Sequence, residues 1–215
     1  KVLKEGIVEE PGNRERIAKL LRFASTRGEN ATQDVALADY VARMKNGQDA
    51  ICYLIAETHA AAAGSPHLEV FRRKGLEVLL LSDRIDEWLV TSLDAFEGKP
   101  LRSVARGALD LDLFADEAEK SAHKEAEAKL APALGRVKEL LGDRVADVRA
   151  SARLTDSPAC LVVGEGETSA HLERILRAAG HEAPQGKPFR VGGPLHREAP
   201  PDRQLAPREP RRLRR

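Results

Sequence analysis

Three short apolar runs constrain the fold of this chain more than any other feature. Ile51–Ala56, Glu77–Leu81 and Leu101–Ala105 are each of strand length, and the stretches between them are long enough for a helix. The first two show little alternation of apolar and polar residues. A strand of that kind is buried on both faces, which points to parallel strands with helices on either side. The reading is an α/β fold: a small parallel-sheet unit over about residues 33–105, with right-handed crossovers. Hydrophobic residues make up 42% of the chain but aromatics only 4%, so Leu, Val, Ile and Ala must fill the core.

Helical spacing supplies the rest of the pattern. Glu15–Arg22 reads as a short helix with Asn13 as N-cap and Ile17, Leu20 and Leu21 on one face. Leu37–Asn46 places Leu37, Tyr40, Val41 and Met44 on one face, and Gly47 ends it. Thr58–Gly64 is Ala-rich and helical. Ser65 then suits an N-cap and Pro66 the first position of a helix that runs over Leu68–Lys74 and stops at Gly75. Asp83–Phe96 reads as a helix with Ile85, Leu89, Leu93 and Phe96 in one stripe. Gly107–Asp116 reads as a linker. Asp116–Leu141 is a long helical pattern with Leu134, Val137 and Leu141 on one side, which Pro132 should kink or split. Val145–Arg149 and Ala159–Val163 are strand-like, and Thr168–Ala178 is helical up to Gly180. From Gly186 onward stand six of the 12 prolines and nine Lys/Arg against three Asp/Glu, so a disordered basic tail is expected. The domain reading is therefore 1–106, 107–185, which is α+β, and the tail 186–215.

Several functional classes find little support. No apolar run reaches the roughly 20 residues of a membrane span, and Lys1–Glu10 lacks the apolar core of a secretory signal. A chain that starts without Met suggests a fragment or a processed product. Cys52 and Cys160 form no C-x-x-C pair, which suits a reducing, cytoplasmic setting. The six histidines include no H-E-x-x-H pair, and His59 and His67 merely flank a short helix, so no metal site is expected. Gly164-Glu-Gly166 after a strand resembles half a dinucleotide fingerprint. Ser169 stands where the third glycine belongs, and Glu165 and Glu167 would repel a pyrophosphate. Cys160 reads as a small buried hydrophobe, with a reactive thiol as the alternative. Arg72-Arg73-Lys74 and Arg84 are interleaved with acids, so the reading is a solvated mixed surface and no specific nucleic-acid site.

Trp88 is the most informative single residue. It lies about 95° from the centre of the stripe Ile85–Leu89–Leu93–Phe96, on the shoulder of its helix. Beside Asp86 and Glu87, it suits a contact surface with an apolar body and polar surroundings. Packing against a neighbouring loop is the alternative.

Several long blocks of the sequence resemble heat-shock protein 90 chaperones, the bacterial HtpG type in particular. They are residues 18–26 (AKLLRFAST), 37–45 (LADYVARMK), 76–89 (LEVLLLSDRIDEWL), 96–99 (FEGK), 136–145 (RVKELLGDRV), 153–160 (RLTDSPAC) and 172–176 (LERIL). The resemblance runs from Lys1 to about Lys187. It implies part of the family's middle domain followed by the start of its C-terminal domain. It also implies a parent that is an ATP-driven, magnesium-dependent homodimer acting on unfolded client proteins with cochaperones. The family's nucleotide pocket and catalytic arginine loop would precede Lys1, so no cofactor and no enzyme activity are expected of this chain. The family's client contacts match Glu87 and Trp88, and a conformationally responsive position matches Ala159 and Cys160. After Pro188 a member should continue with a strand and amphipathic helices. The Pro/Arg-rich ending looks like translation in a shifted frame, so a monomer is expected. A small α/β nucleotide-binding enzyme built on Gly164 and Gly166, and a scaffold without chaperone function, are the rival readings.

Overall fold

The computed structural model describes residues 2–28, 30–106, 117–164, 170–178, 180 and 189–192. The first unit holds six helices, α1 (Val2–Glu9), α2 (Arg14–Leu20), α3 (Leu37–Ala42), α4 (His59–Ala63), α5 (Glu69–Arg73) and α6 (Asp86–Ser92). Its strands are β1 (Ala24–Ser25), β2 (Ile51–Ile55), β3 (Leu79–Leu81), β4 (Ala95–Phe96) and β5 (Lys99–Ser103), in the order β1-β3-β2-β5-β4. The central strand β2 is parallel to β3 and to β5, with Tyr53 opposite Leu79 and Ile51 opposite Leu101. The parallel core is as the apolar runs required, but both edges are antiparallel: β1 against β3 and β4 against β5. The sheet is therefore mixed.

Successive residues of β2 and β3 feed two separate cores, because side chains alternate across a strand. Ile51, Tyr53, Leu79 and Leu81 pack with Ile7, Leu37 and Leu89 on one face. Cys52, Leu54 and Leu80 pack with Ala62, Leu68 and Phe71 on the other. Tyr40 is the largest fully buried side chain and is completely hydrogen-bonded. Its hydroxyl donates to the Glu77 carbonyl at 2.7 Å and accepts from Gln48 Nε2 and the Cys52 N–H, each at 3.0 Å. Burial pushes this phenol far above its ordinary pKa, which keeps the donating proton in place.

Most helices sit where the spacing put them, with shorter ends. Thr58 caps α4 by accepting the Ala61 N–H at 3.1 Å, and Ser65 accepts the His67 N–H ahead of a 3₁₀ turn at Pro66–Leu68. Two local readings change. Asn13 stands at the N-cap of α2 without capping it; its amide donates to Glu10 instead. Ala18 is the buried residue of that helix, while Leu20 is 59% exposed. The helix expected to reach Phe96 ends at Ser92, and Phe96 enters the core from strand β4. Glu97 (φ 49°) and Gly98 (φ 74°) form a tight hairpin turn in left-handed conformations, and that turn pairs Phe96 with Lys99.

The second unit comprises α7 (Glu117–Leu141), β6 (Val148–Ala150), β7 (Ala159–Val162), α8 (Ala170–Ala178) and β8 (Phe189–Gly192). Helix α7 runs through Pro132 as one element and is not split. Both Pro132 and Ala128, whose carbonyl loses its partner, are exposed, so water can satisfy that carbonyl. Strand β8 lies between its neighbours in the order β6-β8-β7, parallel to β6 and antiparallel to β7. It falls inside the stretch expected to be a disordered tail. Four residues carry no local signature strong enough to overcome the composition around them, and the strand forms because two distant edges hydrogen-bond it. The linker 107–116 and the tail 193–215 lie outside the described residues. Among the described residues no helix is long and apolar enough to cross a membrane.

Tyr40→Phe should lower the free energy of unfolding by about 2–3 kcal/mol, because it strands the buried Cys52 N–H and the Glu77 carbonyl. Urea denaturation of the two proteins measures this.

Candidate functional site

Helix α6 is presented by a buried cluster of charges. Lys4 of α1 reaches across the unit and donates to Asp83 Oδ2 at 2.8 Å and Asp86 Oδ1 at 2.7 Å. All three residues are buried, Asp86 completely. Lys4 Nζ also stands 5.1 Å above the Phe23 ring, where the ring face attracts a cation. Asp86 accepts the Asp83 N–H at 2.8 Å, which fixes the turn entering α6, and Gln33 Nε2 donates to Asp83 at 3.3 Å. Burial raises the Asp86 carboxyl above its ordinary pKa, against the pull of Lys4.

That helix carries Trp88 on the surface, 40% exposed. Of the stripe expected from the spacing, Leu89 is fully buried and Leu93 nearly so, while Ile85 is only half-buried. Asp86 and Glu87 do not form the polar rim expected of them beside Trp88. Asp86 turns in to Lys4, and Glu87 is 4% exposed, 3.9 Å from Arg106 Nη2. Of the two residues that the resemblance singled out on this helix, Trp88 faces outward and Glu87 faces inward. Trp88 and Ile85 instead line a groove of about 400 Å³ with Glu5, Arg84 and Ile175 of α8. Ile175 was missed by sequence reasoning. The α8 stripe Leu172, Ile175 and Leu176 is legible at helical spacing, but nothing local says that it faces Trp88.

Ala159 and Cys160 lie on β7, at a joint between the two units. Val163 N–H donates to the Ala105 carbonyl at 3.2 Å, and the buried Arg153 donates to the Val104 carbonyl at 3.2 Å. Glu69, at the start of α5, is the clamp. Its carboxylate accepts the N–H groups of Thr155 (2.6 Å), Asp156 (2.9 Å) and Ser157 (3.1 Å), and the hydroxyls of Thr155 and Ser157. Desolvation works to raise its pKa, but these donors outweigh it and hold the carboxyl down to about 2. His67, two residues earlier, is lowered to about 4 by burial and by Arg153, with a partial offset from Leu161. Cys160 is buried with Leu154 and Val162, and burial raises its thiol pKa despite Arg153, so it is a packed thiol and not a thiolate.

The turn after β7 lacks the setting of a dinucleotide site. Such a fingerprint needs parallel strands joined through the helix, whereas β7 and β8, on either side of α8, are antiparallel. Gly166 and Ser169 lie outside the described residues. Among the described residues no group of three or more His, Cys, Asp or Glu could hold a metal ion.

Comparison with known proteins agrees with the blocks noted in the sequence. The Hsp90 protein family matches residues 1–191, through the turn at Gly164 and into β8. The chaperone protein HtpG of Alkalilimnicola ehrlichii is 59% identical over 188 residues, covering 87% of this chain and 29% of that protein. The chaperone proteins HtpG of Chromobacterium violaceum and Nitrosococcus oceani are 57% and 56% identical over 195 residues, each covering 91% of this chain and 31% of the relative. The chain thus spans a little under a third of the length of the curated relatives it matches.

Two outcomes follow from the charges. Lys4→Met leaves two buried carboxylates without their cation and should cost roughly 3–5 kcal/mol in urea denaturation; adding Asp86→Asn should recover part of it. The joint should loosen in two stages as pH falls. His67, with its pKa depressed, contributes stability that is lost from about pH 6.5 down to 4. Glu69 contributes stability that is present above about pH 4.5 and lost toward pH 2. Amide exchange of residues 153–163, corrected for intrinsic rates, should show both stages, and Glu69→Gln should remove only the lower one.

Proposed function

The chain belongs to the Hsp90 protein family, and from that premise we propose that it is a segment of a molecular chaperone that contacts unfolded client proteins through the Trp88 groove. The observation that carries this reading is a half-exposed Trp at the rim of a concave, largely apolar groove, on a helix that a buried ion cluster holds in place. Rigid aromatic side chains at such sites supply contact area at low entropic cost and dominate binding energy. Ile85 and Ile175 add apolar area for an extended client segment, and Glu5 and Arg84 form its charged edges. Glu87 acts indirectly, by holding Arg106 against the base of α6.

The joint at Glu69 is read as the place where the two units change their relative geometry, with Ala159 and Cys160 as the responsive strand residues. The family resemblance supports a parent that uses ATP and magnesium, works with cochaperones, forms a homodimer and resides in the cytoplasm. This chain by itself is proposed to lack ATPase activity.

Trp88→Ala should weaken binding of a permanently unfolded protein, such as a reduced and carboxymethylated one, by several-fold while leaving the melting temperature nearly unchanged. Ile175→Ala should act in the same direction. Because Trp88 is the single tryptophan, its emission should shift when that unfolded protein is added. Unchanged affinity in both variants, or a stability loss of roughly 3–5 kcal/mol in Trp88→Ala, would show that the indole is core and not contact surface.

A further inference from the structure

A second concavity lies away from the Trp88 groove, where the residues after β1, the end of α3 and the end of α5 meet. It has a volume of about 320 Å³. Four cations line it, Arg27, Arg43, Lys45 and Arg72, and Glu77 is the one carboxylate among the described lining residues. Glu77 is already neutralised. Arg43 grips it with Nε and Nη2 at 3.1 and 3.0 Å, and the Glu77 side chain is almost wholly buried. Asp34 and Asp39 act on Arg43 from outside the lining. The uncompensated charge of the pocket therefore comes from Arg27, Lys45 and Arg72.

Two of these cations are anchored without losing charge. Lys45 Nζ donates to the Lys74 carbonyl at 2.5 Å, at the negative end of α5, and Arg72 Nη2 donates to the Ala63 carbonyl at 2.5 Å. Backbone carbonyls hold the heads in position and leave each with further donors. The Arg27 backbone N–H donates to Ser25 Oγ at 3.2 Å, and its guanidinium is left to the pocket. Gly75 keeps the pocket open: it has φ +61°, and a Cβ there would come within 3.1 Å of Lys45 Nζ. The run Arg72-Arg73-Lys74, which the sequence suggested was part of a solvated mixed surface, is divided by the fold. Arg73 and Lys74 pair with Glu119 of α7 at 3.6 and 2.7 Å, and Arg72 is left to the pocket.

We propose that this pocket binds a phosphate group. Converging guanidinium forks and an ammonium match a compact, multiply charged oxyanion, which they can hold through charge-assisted hydrogen bonds. A pocket of this size takes one or two phosphoryl groups and does not accommodate a run of backbone phosphates. The phosphate can be that of a small molecule or of a phosphorylated side chain, since the recognising chemistry is the same.

The test is isothermal titration of the whole chain with inorganic pyrophosphate at low and at physiological salt. Saturable binding that weakens with salt, and that falls about tenfold in each of Arg27→Gln and Lys45→Gln but not in Arg22→Gln, is the expected result. Arg27 is exposed and bonds nothing through its side chain, so its variant should fold normally. A phosphoserine peptide that binds more tightly than free phosphoserine would assign the site to a phosphorylated partner, and equal affinity would assign it to a small phosphate. No saturable binding, or binding that is equal in the wild type and both pocket variants, overturns the proposal.

Discussion

Everything in the first unit hangs on β2, which is hydrogen-bonded on both edges and buried on both faces. A strand in that position cannot tolerate water on either side, so it requires a helical layer above and below. Ile51 and Tyr53 call for the layer that contains α1, α3 and α6; Cys52 and Leu54 call for α4 and α5. The parallel pairing with β3 and β5 follows, because each return to the same end of the sheet must pass through a covering helix. Short antiparallel strands close the edges, and so limit the exposed backbone that could pair with another chain.

Polar groups then fix what apolar packing leaves loose. Hydrophobic contact between α1 and α6 would permit sliding, but one lysine held between two carboxylates has a single good geometry. Tyr40 does the same for α3, joining it at once to the backbone of β2 and to Glu77 ahead of β3. Glu69 does so between the units, where five donors converge on one carboxylate. The joint is thereby strong at neutral pH and rests on few residues.

Three regions with distinct chemistry result. The Trp88 groove is apolar with charged edges and draws a wall from each unit, so its shape is tied to the joint that sets how those units meet. The joint itself is polar and half-exposed, with Cys160 as a packed neighbour. The basic pocket is built within the first unit and on the opposite chemical principle, an excess of cations with their charge left unspent.

Much of this was legible in the sequence. The apolar runs at 51–56 and 77–81 carried the strand assignment, and the cap at Ser65 and the stop at Gly75 carried the helix limits, since both are local signals. The shoulder position of Trp88 followed from helical geometry alone, and the blocks around residues 18–26 and 76–89 carried the family. What stayed hidden was every feature that depends on distant partners. Glu87 looks like a surface acid until Arg106 is beside it, Lys4 looks like a solvated helix residue until Asp83 and Asp86 converge on it, and Ile175 belongs to the groove only because α8 is brought to α6. Strand β8 could not be read from the local pattern of four residues set among prolines and arginines; only the family resemblance implied a strand after Pro188. The sequence by itself determined the elements, their covered faces and the kinship, because periodicity and capping act within a few residues. Only the tertiary structure decided which charges are buried, which side chains share a surface and which edge completes a sheet, because those outcomes depend on groups that are far apart along the chain and that folding alone brings together.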